Sequence, residues 1–217
     1  NKVGLYGGLT VEETGGAQEA ETLDDFWLYD TTSFTWSQQT PKGELPGPRA
    51  YHTLTSMNGN NPATQTFTLW MVLIMGSPTI SIAGLTGDPL VRPDVTDTIY
   101  ALDTTTMEWS NLRSPDLIGP VGRSKHAAVS TTVFSSTPVM LHGGMSGDGA
   151  LLSDLWAIDV ERCLSLSAEV RATCMVEFEQ IGQGPGPRGD HGLGLLTIGV
   201  DFALVSVFGA NETQMAT

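Results

Sequence analysis

Basic residues, cysteine and long apolar runs are all scarce in this sequence. Only 10 Lys and Arg stand against 24 Asp and Glu in 217 residues, a formal charge of −14 with histidine neutral. A field this negative disfavours a nucleic-acid backbone or an anionic lipid surface as partner. The longest apolar stretches are 67–76 and 192–208, the second broken by Asp201. Both fall short of the roughly 20 residues of a spanning helix, so no membrane insertion of this segment is expected. Catalytic signatures are missing too. No Gly-x-Ser-x-Gly occurs, no His/Cys cluster has zinc spacing, and no Asp-x-Asp-x-Asn-Gly loop could supply a calcium ion. The run Gly182-Gln-Gly184-Pro-Gly-Pro187 carries proline where a phosphate cradle needs backbone N–H groups, so it reads as a connector. No catalytic residue, cofactor or metal site is therefore expected. Charged residues are few, at 16%, but hydrophobic ones make up 40%, which is too apolar for a disordered chain.

What is present repeats. An apolar run ending in glycine occurs four times: Val3-Gly-Leu-Tyr-Gly7-Gly8, Val72-Leu-Ile-Met-Gly76-Ser77, Val139-Met-Leu-His-Gly143-Gly144 and Val205-Ser-Val-Phe-Gly209-Ala210. The first three are followed by Asp25-Phe-Trp27-Leu-Tyr29-Asp30, Thr98-Ile-Tyr100-Ala-Leu102-Asp103 and Asp154-Leu-Trp156-Ala-Ile158-Asp159. Six residues after Asp30 and Asp103 stand Trp36 and Trp109, while Phe178 takes that place in the third unit. Arg-x-x-His recurs at Arg49/His52, Arg123/His126 and Arg188/His191. Seven Arg and four His placed at random would give about 0.13 such pairs, whereas a repeat gives one per copy. Each unit reads as four short strands. The glycine-terminated run lacks polar alternation, as in a strand covered on both faces. Asp-Thr-Thr supplies side chains that close a turn, and the Pro/Gly connectors stop further pairing. Four strands per unit without crossover helices predict an all-β fold of small antiparallel sheets arranged radially.

As a set, the glycine doublet, the Asp-φ-Trp-x-φ-Asp strand, the downstream Trp and Pro-Arg-x-x-His resemble the kelch repeat. The resemblance implies a β-propeller built of four-stranded antiparallel blades, at approximately 1–40, 49–112, 123–181 and 188–217. The units run longer than the usual kelch repeat of about 50 residues. Asn1 opens almost directly on a strand pattern, so about three and a quarter blades are expected, a ring that does not close by itself and a chain cut from something longer. The function implied is a non-catalytic protein-interaction module that binds another protein through inter-strand loops on one face. The alternative is a fragment of a kelch-like propeller enzyme or small-ligand-binding protein whose site lies in other blades.

Three features bear on a site. Long connections are expected between the second and third strands at 9–24 and 77–97, the first carrying Glu12, Glu13, Glu19, Glu21 and Asp24. Such an acidic loop is either merely solvated or a docking element for a basic partner. The three repeated arginines, Arg49, Arg123 and Arg188, sit at the mouth of the innermost strand. There they either hold a partner's carboxylates or brace blade against blade through backbone carbonyls. Arg188-Gly-Asp190 also spells an adhesion tripeptide, but the repeat already accounts for Arg188. Finally, Cys163 and Cys174 flank an insertion between the third and fourth strands of the third unit, where hairpin legs adjoin. They form a disulfide closing a 12-residue loop, or stand as two thiols. A bond, together with the sequon Asn211-Glu-Thr213, leans toward a secreted or extracellular domain over a cytoplasmic one.

Overall fold

A computed structural model describes residues 2–14, 17–61, 66–80, 94–112, 119–131, 138–171, 173–184, 186–198 and 201–207. The glycine of the fourth apolar run and the Asn211 sequon lie outside them, as does most of the 77–97 connection.

Strands follow the repeat. The first sheet holds β1 (Lys2–Thr14), β2 (Ala17–Asp30) and β3 (Thr35–Gln39) in that order. The second runs β5 (Thr53–Asn61), β6 (Thr66–Ile74), β7 (Ile99–Asp103) and β8 (Glu108–Leu112), with β4 (Lys42–Gly43) added parallel to β8. The third orders β10 (Ala127–Ser130), β11 (Val139–Ser146), β12 (Leu151–Asp159) and β13 (Glu177–Gln183), and β9 (Arg123–Ser124) pairs the far end of β11. The fourth consists of β14 (Gly192–Ile198) and β15 (Asp201–Val207). Apart from the β4–β8 pair the strands are antiparallel, and the ring they begin is open. The fold is a partial β-propeller of small antiparallel sheets.

Backbone geometry refines the register of the repeat. A bulge interrupts β1 between Tyr6 and Gly8 and interrupts β11 between His142 and Gly144. At each bulge two successive residues take positive φ: Gly7 and Gly8 at +53° and +118°, Gly143 and Gly144 at +61° and +97°. In the second blade the matching pair is Met75 and Gly76, at +52° and +100°, not Gly76 and Ser77. The glycines that correspond are thus Gly8, Gly76 and Gly144. The second position, near φ +100°, is closed to most L-residues and is glycine in all three, while the first tolerates Met75 in the αL well.

The Asp turns between third and fourth strands are also copies of one another. Asp30 Oδ1 accepts the backbone N–H groups of Thr32 and Ser33, and Asp103 Oδ1 those of Thr105 and Thr106. Phe34 and Met107 close these turns at φ +56° and +55°. In the third blade Asp159 accepts Glu161 N–H in the same way, but the chain then enters α1 (Glu161–Leu164) and α2 (Ala168–Arg171) before β13. Phe178 faces Ile158 across the ladder, just as Trp109 faces Leu102 and Trp36 faces Tyr29.

Burial explains the stacking of blades. One cluster joins Tyr6, Phe26 and Leu28 of the first sheet to Met71, Leu73, Leu102 and Trp109 of the second. A larger one joins Trp70, Val72, Ile74, Ile99 and Ala101 of the second to Val139, Leu141 and Ile158 of the third. The second sheet therefore presents alternate residues to its two neighbours. The first has only one neighbour, and Val3 and Leu5 are 54% and 50% exposed where their counterparts Met71, Leu73, Val139 and Leu141 are buried.

The insertion caps the larger cluster. Cys163 and Cys174 are joined by a disulfide, and Val160, Cys163, Leu164 and Val176 are buried in that core. Arg171 lies over the Trp70 ring at 4.4 Å and donates to the carbonyls of Cys163 and Leu166, fastening the insertion across the blade boundary. Among the described residues helix is confined to this insertion. The stretch 9–24 is not an open loop: β1 and β2 continue as a ladder, with Glu12 opposite Glu19 and Thr10 opposite Glu21.

Candidate functional site: the connector face

The ends of the second strands and the Arg-x-x-His connectors meet on one face. Gly8 N–H donates to Arg49 O at 3.0 Å, Gly76 N–H to Arg123 O at 3.0 Å and Gly144 N–H to Arg188 O at 2.9 Å. Each bond runs from one blade to the next, and it needs the φ that only glycine supplies cheaply at these positions. The residue after each arginine pairs back onto its own second strand, Ala50 with Ser77 and Ser124 with Met145. Thr22 in the first hairpin donates to Pro78 O at 2.6 Å, so the connection after β6 shares the same face.

The arginine side chains turn inward. Arg49 is 3% exposed and Arg123 0%. Arg49 donates to the carbonyls of Met75 and Pro46 and to Thr98 Oγ1. Arg123 donates to Gly143 O at 3.0 Å and to Val121 O, and forms a bidentate pair with Asp154 at 2.6 and 2.9 Å. That guanidinium holds the Asp154 carboxyl below the usual carboxylate range against the opposing effect of burial. Arg188 is half-buried and donates Nε–H to Gly186 O at 3.3 Å. The guanidiniums of Arg49 and Arg123 are thus taken up by carbonyls, Thr98 and Asp154 within their own blades.

The residue two places after each arginine is the one presented. Tyr51, Lys125 and Asp190 take φ of +55°, +58° and +52° in the same slot of successive connectors. Lys125 N–H donates to Tyr51 O at 3.0 Å and Asp190 N–H to Lys125 O at 2.9 Å, which strings the three along the face. Lys125 Nζ sits 5.0 Å from the Tyr51 ring centre and 3.3 Å from Asp190 Oδ2. Non-glycine residues in the αL well cost about 1–3 kcal/mol each and collect at binding sites. Beside them the first hairpin exposes Glu12, Glu13, Glu21 and Asp24. Sequence reasoning passed over this row because its side chains differ from copy to copy, whereas the flanking Arg and His repeat. The signal was positional: a variable residue locked between two invariant ones.

The repeated histidines complete the seams. His52 meets the Tyr6 ring edge-on at 5.9 Å, His126 Nε2 lies 3.1 Å from Thr53 Oγ1, and His191 Nε2 lies 2.9 Å from His142 Nδ1. Burial, followed by a neighbouring cation or histidine, pushes His52 down to about 4, His126 to about 3 and His191 to about 4. Among the described residues no three His, Cys, Asp or Glu side chains stand close enough to hold a metal ion. No described helix is long and apolar enough to cross a membrane.

No family model matches the chain. It is 30% identical over 139 residues to Kelch domain-containing protein 2 of Bos taurus, covering 64% of this chain and 28% of that protein. To the Rab9 effector protein with kelch motifs of Mus musculus it is 29% identical over 134 residues, 62% of this chain and 29% of the relative. The chain thus spans under a third of the length of these relatives. The solved structure of YjhT, a kelch propeller, superposes with a TM-score of 0.55 at 11% identity, over 88% of this chain and 53% of the other.

Proposed function

We propose that this chain, whose repeats are kelch repeats, works as a non-catalytic protein-interaction module whose partner docks on the connector face. The observation that carries the reading is the row Tyr51–Lys125–Asp190. A framework of arginines, glycines and histidines is held constant from blade to blade, while one strained position per connector varies in size and charge, half-buried at Tyr51 and Lys125 and exposed at Asp190. That is how a scaffold displays a recognition surface, with rigid elements positioning loop residues. The acidic hairpin adds contacts on the same face, and one relative is itself named an effector of Rab9. Arg49, Arg123 and Arg188 serve binding indirectly, by fixing the loops.

The test compares two sets of surface variants in quantitative pulldown from a cell extract. Tyr51→Asn, Lys125→Asp and Asp190→Asn combined keep side chains that tolerate αL. They should abolish capture of the partners that the unchanged protein retains, with the melting temperature moved by no more than about 2 °C. Phe34→Asn on the opposite face should leave capture intact. Undiminished capture by the triple variant overturns the proposal.

A further inference from the structure

The slot that faces each connector histidine differs from seam to seam. It holds Tyr6 against His52 in the first seam and Ile74 against His126 in the second. In the third it holds a second histidine, His142, against His191. The two rings meet edge-on, with centres 4.9 Å apart, and both residues are buried. His142 Nδ1 and His191 Nε2 stand 2.9 Å apart, so one donates and the other accepts. Their remaining nitrogens, His142 Nε2 and His191 Nδ1, are buried without a hydrogen-bond partner. Gly184 leaves the space for His142: a Cβ there would lie 1.8 Å from its Nε2.

We propose that the His142–His191 pair is an acid-sensitive latch holding the fourth sheet to the third. With one ring neutral the N–H···N bond is kept, because an imidazolium can donate to a neutral partner. With both rings protonated every ring nitrogen is a donor, two N–H groups point at each other, and the bond cannot exist. The first proton has only the unpartnered outer nitrogens to occupy, in a dry site, so the closed latch resists it and the opened latch accepts it. The charged groups around the pair bias it the same way. Among the described residues Arg188 forms no ion pair, whereas Arg123 is neutralised by Asp154 and Lys125 is paired to Asp190. Burial and Arg188 lower both histidines. Besides the packing of β10 beside β14, the polar ties between the sheets among the described residues are Gly144 N–H to Arg188 O, Arg188 N–H to Leu152 O, Asp190 N–H to Lys125 O and the Lys125–Asp190 pair. Each proton taken up on opening shifts the closed–open equilibrium about tenfold per pH unit between the free and closed-state values.

Hydrogen–deuterium exchange, corrected for intrinsic rates, reads the latch directly. Between pH 7 and pH 5 the protection of β14 and β15 should fall at least about tenfold, and clearly more than that of β6, β7 and β12. His142→Ile puts into this seam the residue its counterpart carries in the second, and it should clearly weaken the pH response of β14–β15 protection, leaving only the proton that His191 takes up on opening. Should that variant fail to fold, ¹⁵N spectra of the imidazoles in the unaltered protein decide. A shared N–H···N signal at pH 7, lost together with β14–β15 protection, supports the latch. Unchanged protection at pH 5, an equal loss in every sheet, or an undiminished pH response in His142→Ile overturns it.

Discussion

Arg123 shows what a repeated arginine is for. Its guanidinium is out of water and meets two carbonyls and both oxygens of Asp154. Arg49 occupies the same slot with Thr98 where Asp154 would be, so it is braced by neutral partners only. Asp154 and Asp25 in turn each accept the indole N–H of the tryptophan two residues on, Trp156 and Trp27. The two arginines therefore respond differently to loss of the aspartate-position partner. Arg123→Leu leaves a mostly buried carboxylate unpaired and should destabilise the fold by about 3–5 kcal/mol. Asp154→Leu should cost a comparable amount, and the double variant clearly less than the sum. Thr98→Val should cost only about 1 kcal/mol. Urea unfolding of the four variants checks this, and strict additivity of the Arg123 and Asp154 losses would refute the paired-charge account.

Elements were legible in the sequence to different depths. The four strands of the second and third blades, the Asp turns and the match of Phe178 to Trp36 and Trp109 follow from side-chain chemistry at fixed spacing. The glycine register did not follow, because Gly76-Ser77 imitates the doublet in letters while φ and the Gly76–Arg123 bond place the pair at Met75–Gly76. The row of αL residues was hidden for a related reason: the geometry at Tyr51, Lys125 and Asp190 comes from the connector's hydrogen bonds, not from the residues' own preferences. The disulfide between Cys163 and Cys174 was legible from the insertion's position in a hairpin. That the insertion reaches the second blade was not, since the Arg171–Trp70 contact joins residues far apart in sequence. Replacing both cysteines by serine should cost about 3 kcal/mol on the loop-entropy model. It should also free α1 and α2 from Trp70, seen as faster limited proteolysis within 160–176 and altered tryptophan fluorescence. Unchanged proteolysis would mean that the apolar contacts and Arg171 hold the insertion without the crosslink.

Over the whole molecule the charge is uneven in depth. Most acidic side chains lie at the surface, Asp103 and Asp154 apart, whereas Arg49, Arg123 and Arg171 and the histidines His126, His142 and His191 are buried. The titration of the seams therefore governs the response to acid more than the net charge of −14 does. Each histidine is held below its ordinary value of 6.5, with His52 and His191 near 4 and His126 near 3. An unfolded chain takes up these protons from about pH 6.5 downward while the folded chain does not, so the unfolded state gains as pH falls. Stability is complete above pH 6.5 and is lost toward pH 4, with a limiting slope of about 1.4 kcal/mol per pH unit for each fully excluded proton. Asp154 adds to the loss only lower down, since its lowered carboxyl binds its proton below the unfolded value. The urea midpoint should accordingly hold steady from pH 8 to 7 and decline continuously from 6.5 to 4.5, well above the range where carboxylates titrate. His126→Gln, which removes the imidazole pushed down to about 3, should flatten that decline measurably even if it lowers the midpoint at pH 7. A profile that stays level to pH 5 and breaks only below it would put the carboxylates, not the histidine seams, in control of the acid limb.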